Sequence, residues 1–377
     1  MPIHDVGRLL PADEMVCHQI ADSFATVRES ERQWTEKLWC AMAARDGSLS
    51  VDLGLGKYIN RNVMDGFGGV SRGYEQWTVR ASRELWPDPD TTAVGPVHYE
   101  VIEPLKKVRL HLARNEYQPI AFDLVFEGIM QPFFEERHRY RAHFRLASDV
   151  VRYHQSGTAS GWLLLDGQRI EVSDWIAARD HSWGMRDHVG TPLTDIQPAQ
   201  RPAGRTCFHW TPWIFTRPDG SHYEIMQYII SNETQPHYSG SVNYPDGRQE
   251  LIIRSEVIPA FDPGTRELRS ARFKLYMESG EVRTIESECH GLSGFHLSTA
   301  GYGGWAKAYH GVWKGALHVE GDYVENCLTH PEIGMVRDRP TRLREGDTVG
   351  WGIHEYFYTG AWPEFGIGPE VPERRAT

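Results

Sequence analysis

Between Trp175 and His188 the chain reads Trp-Ile-Ala-Ala-Arg-Asp-His-Ser-Trp-Gly-Met-Arg-Asp-His, which sets acids, bases and indoles side by side. In an extended chain successive side chains face opposite ways. Arg179, His181 and Trp183 would then share one face, and Asp180 and Ser182 the other. A carboxyl at Asp180 facing an apolar interior would be raised in pKa by desolvation and could donate a proton near neutrality. His181 is the matching base or partner. Both can reach one pocket only if the chain bends, and Gly184 permits a bend or bulge. The competing reading is a buried ion pair of Asp180 with Arg179 or Arg186 that pins a strand end.

Other groups suited to chemistry lie further along. Tyr309-His310-Gly311-Val312-Trp313, with Trp305 just before it, and His354-Glu355-Tyr356 supply His, Glu and aromatics in expected strands. Cys207 to Trp213 and His222 to Tyr228 place Trp210 and Tyr228 where the wall of an apolar pocket would need them. The expected site is therefore Asp180 and His181 as catalytic groups. Arg179, Trp183, Arg186, Trp210, Tyr228, Trp305, Tyr309, Trp313, His354 and Glu355 are expected around the substrate. Each outlying residue equally suits an ordinary sheet core.

The elements that must position these groups read as follows. Asp166-Gly167 between apolar runs is a two-residue hairpin signal leading straight into the Trp175 segment. From about residue 95 the apolar period is two, as in Val108, Leu110, Leu112 and in Phe273, Leu275, Met277. Pro218-Asp219-Gly220, Pro245-Asp246-Gly247 and Ser279-Gly280 add turns. Closely spaced strands and turns mean antiparallel, mainly β structure, which manages its edges by closing into barrels or packing two sheets. Residues from about 11 to 45 read as helical, with Phe24, Val27, Trp34, Leu38, Trp39 and Met42 near a 3.6-residue stripe and Gly47 ending the helix. Residues 51–75 are Gly-rich and read as loop. The expected division is a helical and loop extension over 1–92 packing on the barrels, one β domain over 93–195 and a second over 196–377. The boundary falls near 190–205.

Composition narrows the function classes. The formal net charge of −11 argues against a nucleic-acid partner and weakly against an anionic membrane surface. No apolar run approaches the ~20 residues of a membrane helix, so membrane insertion is not expected. Five cysteines without a CxxC spacing fit free thiols in a reducing cytoplasm. None of the eighteen histidines stands in a standard ligand spacing with a carboxylate, and there is no phosphate loop or nucleophile elbow. The expectation is no metal and no cofactor. The partner is a hydrophobic small molecule, and a homodimer fits as well as a monomer.

The stretch Trp175 to Asp187, with Gly161-Trp162 and Gly352-Ile353-His354-Glu355 in a β-rich chain, resembles the carotenoid hydratase and AttH-like superfamily. That group includes kievitone hydratase-like and hydroxyneurosporene synthase-like proteins. Asp180-His181-Ser182-Trp183 matches the D-x-x-W part of its signature, while Trp175 stands five residues before Asp180 rather than two. The resemblance implies two lipocalin-like β-barrel domains. It also implies cofactor-independent lyase chemistry, hydration or dehydration, on a terpenoid-, steroid- or polyketide-like molecule. A cyclase or isomerase of pericyclase type and a carrier without chemistry are the alternatives.

Overall fold

The computed structural model describes residues 14–16, 31–85, 88, 91–142, 144–186, 188–193, 195, 204–233, 236–307, 309–334 and 336–369. The protein is mainly β, built as two barrel-like antiparallel sheets. The thirteen-stranded first sheet runs Leu317–Val324, Glu75–Glu84, Val63–Arg72, Ser50–Tyr58, Trp34–Ala43, Gln168–Arg186, Arg145–Leu165, Ile120–Gly128, Lys107–Leu112, Val97–Glu103, Ala93–Val94, with two short strands alongside. The ten-stranded second sheet starts at Thr206. Its Thr348–Thr359 strand pairs with Trp213–Thr216 on one side and Arg337–Glu345 on the other, which closes the sheet on itself.

The Asp166-Gly167 turn is present as read. Both residues have positive φ, 50° and 79°, and Leu165 pairs with Gln168. This hairpin joins the two longest strands, of 21 and 19 residues, and they form the spine of the first sheet.

Two expectations are corrected. Trp34–Ala43 is a strand, not part of a helix, paired with Ser50–Tyr58 and Gln168–Arg186. Nearly every residue in it is buried, on both faces, so the polar half of the two-residue alternation is missing and its large apolar residues imitate a helical stripe. Residues 11–13 and 17–30 of that expected helix lie outside the described residues. Among the described residues, named helical elements are limited to short 3-10 turns such as Ile59–Arg61 and Leu297–Ala300.

Likewise, residues 50–72 are two buried strands rather than loop, and with Glu75–Glu84 they belong to the sheet instead of forming an extension upon it. The glycines serve close approach. A Cβ on Gly54 would lie 2.4 Å from the Phe67 ring, and one on Gly69 would lie 2.2 Å from the Phe295 ring.

Each sheet encloses a core. Leu53, Leu110, Phe122 and Leu163 belong to the first, and Trp213, Ile225, Phe273 and Leu275 to the second. A third apolar cluster joins the two. Trp39, Ala41, Phe67, Ile176 and Ala178 from the first sheet pack on Phe208, Trp210, Met226 and Ile353 from the second.

Candidate active site

The site follows from alternation along Gln168–Arg186. The strand is regular through the charged run, pairing Arg179 with Cys40, Asp180 with Trp39 and His181 with Leu38. Neighbouring residues therefore part. Arg179, His181 and Trp183 enter the first barrel, and Asp180 turns to the junction between the sheets.

Inside the first barrel the polar groups are enclosed and partnered. Arg179 forms an ion pair with Glu14, donates to Gln155 Oε1 at 2.8 and 2.6 Å, and donates to the Tyr99 hydroxyl at 2.9 Å. The Tyr153 hydroxyl donates to Glu14 at 2.9 Å and lies 3.2 Å from His181 Nδ1, while His181 Nε2 is 2.8 Å from Glu36. Burial works against the Glu14 carboxylate, but Arg179 holds it below the usual range. Trp183 packs with Trp34, Val151 and Tyr153. The bend that would have brought His181 to Asp180 is absent.

At the junction the side chains stay open. Asp180 and Arg152 keep 16% and 15% of their side-chain surface accessible, against 0% for His181 and 1% for Arg179 on the same or the adjoining strand. Lys37, Arg186, Tyr228, Tyr302 and Glu355 are also partly accessible, although they lie between two sheets. Together they line a cleft. Its apolar wall is Trp39, Trp210, Ile230, Tyr302 and Phe357, with the Trp39 and Trp210 rings edge to face at 5.1 Å.

Its polar wall has a fixed part and an open part. Asp180 pairs with Arg152 at 3.2 Å, and Arg152 donates to Glu135 at 3.1 Å. The Trp210 indole donates to Glu135 at 2.8 Å. His154 lies 3.6 Å from Glu135 and 3.0 Å from Glu224 of the second sheet. Burial opposes the His154 cation, yet Glu224 and Glu135 raise it to about 9. Burial also opposes the Glu135 carboxylate, and Arg152 with His154 brings it down to about 2. Arg186 donates to Ser182 at 2.7 Å.

The open part is Glu355 and Lys37. Among the described residues neither has a side-chain hydrogen bond or ion pair. Burial, helped by Asp338, pushes the Glu355 carboxyl well above the usual range. Asp180 is raised by burial against the pull of Arg152. Behind them Asp52 and Asp338, one from each sheet, bury their carboxyls against each other, a contact that needs a proton between them. Burial raises both, Asp52 to about 8.

Of the residues expected from the sequence, Asp180, Arg186, Trp210, Tyr228 and Glu355 meet at this cleft. The rest do not. His354 points into the second barrel, 2.8 Å from His209. Trp305 packs on Val324 and Cys327, and Trp313 is exposed. Tyr309 lines an open depression with Asp65, Arg80 and His310. Arg152, Glu135, His154, Lys37 and Tyr302 were not singled out. For Lys37 and Trp39 the signal was their two-residue spacing, legible once residues 34–43 are taken as a strand. Among the described residues no three His, Cys, Asp or Glu side chains are placed to hold a metal, and no helix is long and apolar enough to cross a membrane.

A family of unknown function, DUF8625, matches residues 9–368, and the chain belongs to it. No curated protein matches the sequence. Among solved structures the chain is similar to an AttH-like protein from Nitrosomonas europaea at 11% identity and a TM-score of 0.54, over 90% of this chain and 99% of that one. It is also similar to kievitone hydratase from Nectria haematococca, at 10% identity and a TM-score of 0.44, over 92% and 97%. A third is CghA with Sch210972, at 10% identity and a TM-score of 0.47, over 92% and 96%. The AttH-like neighbour falls in the group that the Trp175–Asp187 stretch resembles, and it shares the fold over nearly the whole of both chains.

Proposed function

Starting from membership of a family without an assigned function, we propose that this protein is a cofactor-independent hydratase or dehydratase. In this reading it adds or removes water by acid–base chemistry on a hydrophobic small molecule held between the two sheets. The observation that carries the reading is the pair of carboxyls at one aromatic-walled cleft, in environments that separate their proton affinities. Glu355, with no ion pair among the described residues and a carboxyl raised well above the usual range by desolvation and Asp338, is the acid. Asp180, held against Arg152 at 3.2 Å, is the more readily ionised and accepts the proton. The roles differ from those expected of the sequence, where Asp180 was the acid and His181 its base.

Protonation of an alkene leaves a carbocation. The Tyr228 ring already carries the Arg152 guanidinium 4.9 Å from its centroid, so the wall tolerates positive charge. The same feature favours proton-initiated cyclisation as the second reading.

The test begins with the ligand that co-purifies with the native protein, identified by mass spectrometry. The protein is then incubated with it in isotopically labelled water. Wild type should exchange label into the ligand, and Glu355→Gln should do so ~10²–10⁴-fold more slowly while retaining the ligand. Wild-type exchange rates in a folded Glu355→Gln protein would refute the acid assignment.

A further inference from the structure

Lys37 takes no part in that chemistry, yet it is placed for chemistry of its own. It stands two residues before Trp39 on the cleft face of Trp34–Ala43, opposite Gly56 in one neighbouring strand and Ser182 in the other. Its Nζ lies 4.7 Å from the centroid of the Tyr302 ring. The carboxylates that face it are already engaged. Asp180 is held by Arg152. Asp65 accepts from the Tyr58 hydroxyl at 3.0 Å and the Gly311 amide at 2.7 Å, with His310 at 3.6 Å. The other charged or titratable groups facing it are Arg152, Arg186, Tyr302 and His310. Burial, with Arg186 adding to it, lowers the ammonium to about 7. A large share of Lys37 is then free amine at neutrality, in an apolar cleft where the Tyr302 that it overlies also faces Glu355. A free amine so placed is a nucleophile toward carbonyl carbon.

We propose that Lys37 is a catalytic amine that binds apolar ketones and aldehydes in the cleft as an imine, which makes carbonyl compounds the substrate class. The amine pair attacks the carbonyl carbon, the C–N bond forms, and the carbonyl oxygen takes up the proton that nitrogen gives up. Glu355 then protonates this hydroxyl. Nitrogen's pair forms the C=N bond, the C–O bond breaks, and water leaves. In a β-hydroxy carbonyl compound the iminium acidifies the α-hydrogen. Asp180 takes it and passes it to the departing β-hydroxyl, so one water is lost in total. Hydrolysis of the imine frees Lys37 and consumes the water released when it formed. No electrons enter or leave. Imine formation needs only the amine, and its use in dehydration rests on the acid–base reading above.

The test uses 2-naphthaldehyde with borohydride, which reduces the imine to a stable secondary amine. Peptide mapping then compares the seven lysines of the chain. At pH 7 the free-amine fraction of Lys37 should exceed that of exposed Lys274 by on the order of 10³ or more, with faster modification to match, since an ordinary lysine titrates at about 10.4 and Tyr276 raises Lys274 further. Its rate should rise through a midpoint near 7. Lys37→Arg should lose that adduct and keep the others. Because mapping assigns the site in the wild type, the rate profile decides the matter even if that variant fails to fold. Equal rates at Lys37 and Lys274 in a natively folded protein would overturn the proposal. Slow exchange in Glu355→Gln without selective labelling of Lys37 leaves the acid–base reading standing and sinks the amine. Selective labelling of Lys37 with normal exchange in Glu355→Gln does the reverse.

Discussion

Arg179, Asp180 and His181 follow one another in a single strand but serve opposite ends. Inside the first barrel, Arg179 and His181 are locked into a chain of contacts through Glu14, Gln155, Tyr153 and Glu36 that leaves them enclosed. On the outer face Asp180 has one cation and an accessible side, with Lys37 and Glu355 beside it and unpaired among the described residues. Buried charge is costly in both places. The interior offsets that cost with contacts, and the cleft leaves it standing as shifted proton affinities. Richness in charged residues alone therefore does not mark a site. What marks it is charge that the fold could have partnered and did not.

The sharpest way to break this comparison is to cut each side once. Arg179→Met should destabilise the protein by about 3–5 kcal/mol in urea unfolding, because Glu14 is left buried without its cation. Asp180→Asn should unfold within about 1 kcal/mol of wild type, as expected away from an enclosed network, and should lose turnover ~10²–10⁴-fold. Equal stability losses would erase the distinction between the two faces.

A second cut tests whether the outer face is a packed surface where it meets the other sheet. Gly54→Ala pushes a methyl into the Phe67 ring, 2.4 Å from the nearest ring atom. The cost should be about 1–3 kcal/mol by thermal unfolding. No measurable change would mean that Phe67 yields freely and the junction is loose.

The finest comparison is of sign. His154, with partners, is raised to about 9, above its unfolded value. Its contribution is fully present below about 6.5 and is lost as pH rises through 9. Lys37, with no hydrogen bond or ion pair among the described residues, is lowered to about 7. Its penalty is full below 7 and fades as pH rises toward its unfolded value of about 10.4. Urea midpoints between pH 6 and 10 should therefore show His154→Gln weakest relative to wild type at low pH. Lys37→Met should be strongest relative to wild type there. Each difference changes by at most about 1.4 kcal/mol per pH unit. Parallel curves for both variants would contradict the assignment of partnered and open groups.

Much of this was legible in the chain. The Asp166-Gly167 turn fixed a hairpin, and alternation put Asp180 on the opposite face from Arg179 and His181. Trp210, Tyr228 and Glu355 were named from residue type alone and do reach the cleft. What could not be read was which sheet face looks inward. That is why His354 and Trp183, as apt chemically as Glu355, turned out to be core. Residues 34–72 misled for a related reason. A strand buried on both sides carries no polar alternation, and glycines that admit aromatic rings from across a sheet look locally like loop. Lys37 comes into view only once its segment is seen as a strand.

The strand Leu317–Val324 carries one more consequence. It completes the first sheet by pairing with Glu75–Glu84, yet it lies more than two hundred residues later in the chain. As the protein emerges from the ribosome, the first sheet must wait with that edge uncovered until most of the second has been synthesised. An uncovered edge is a template for pairing with another chain, and contacts so distant in sequence form slowly. The two sheets are thus stitched in time as well as in space. A chain cut between them would be left with Glu75–Glu84 as an adhesive border that the finished protein covers.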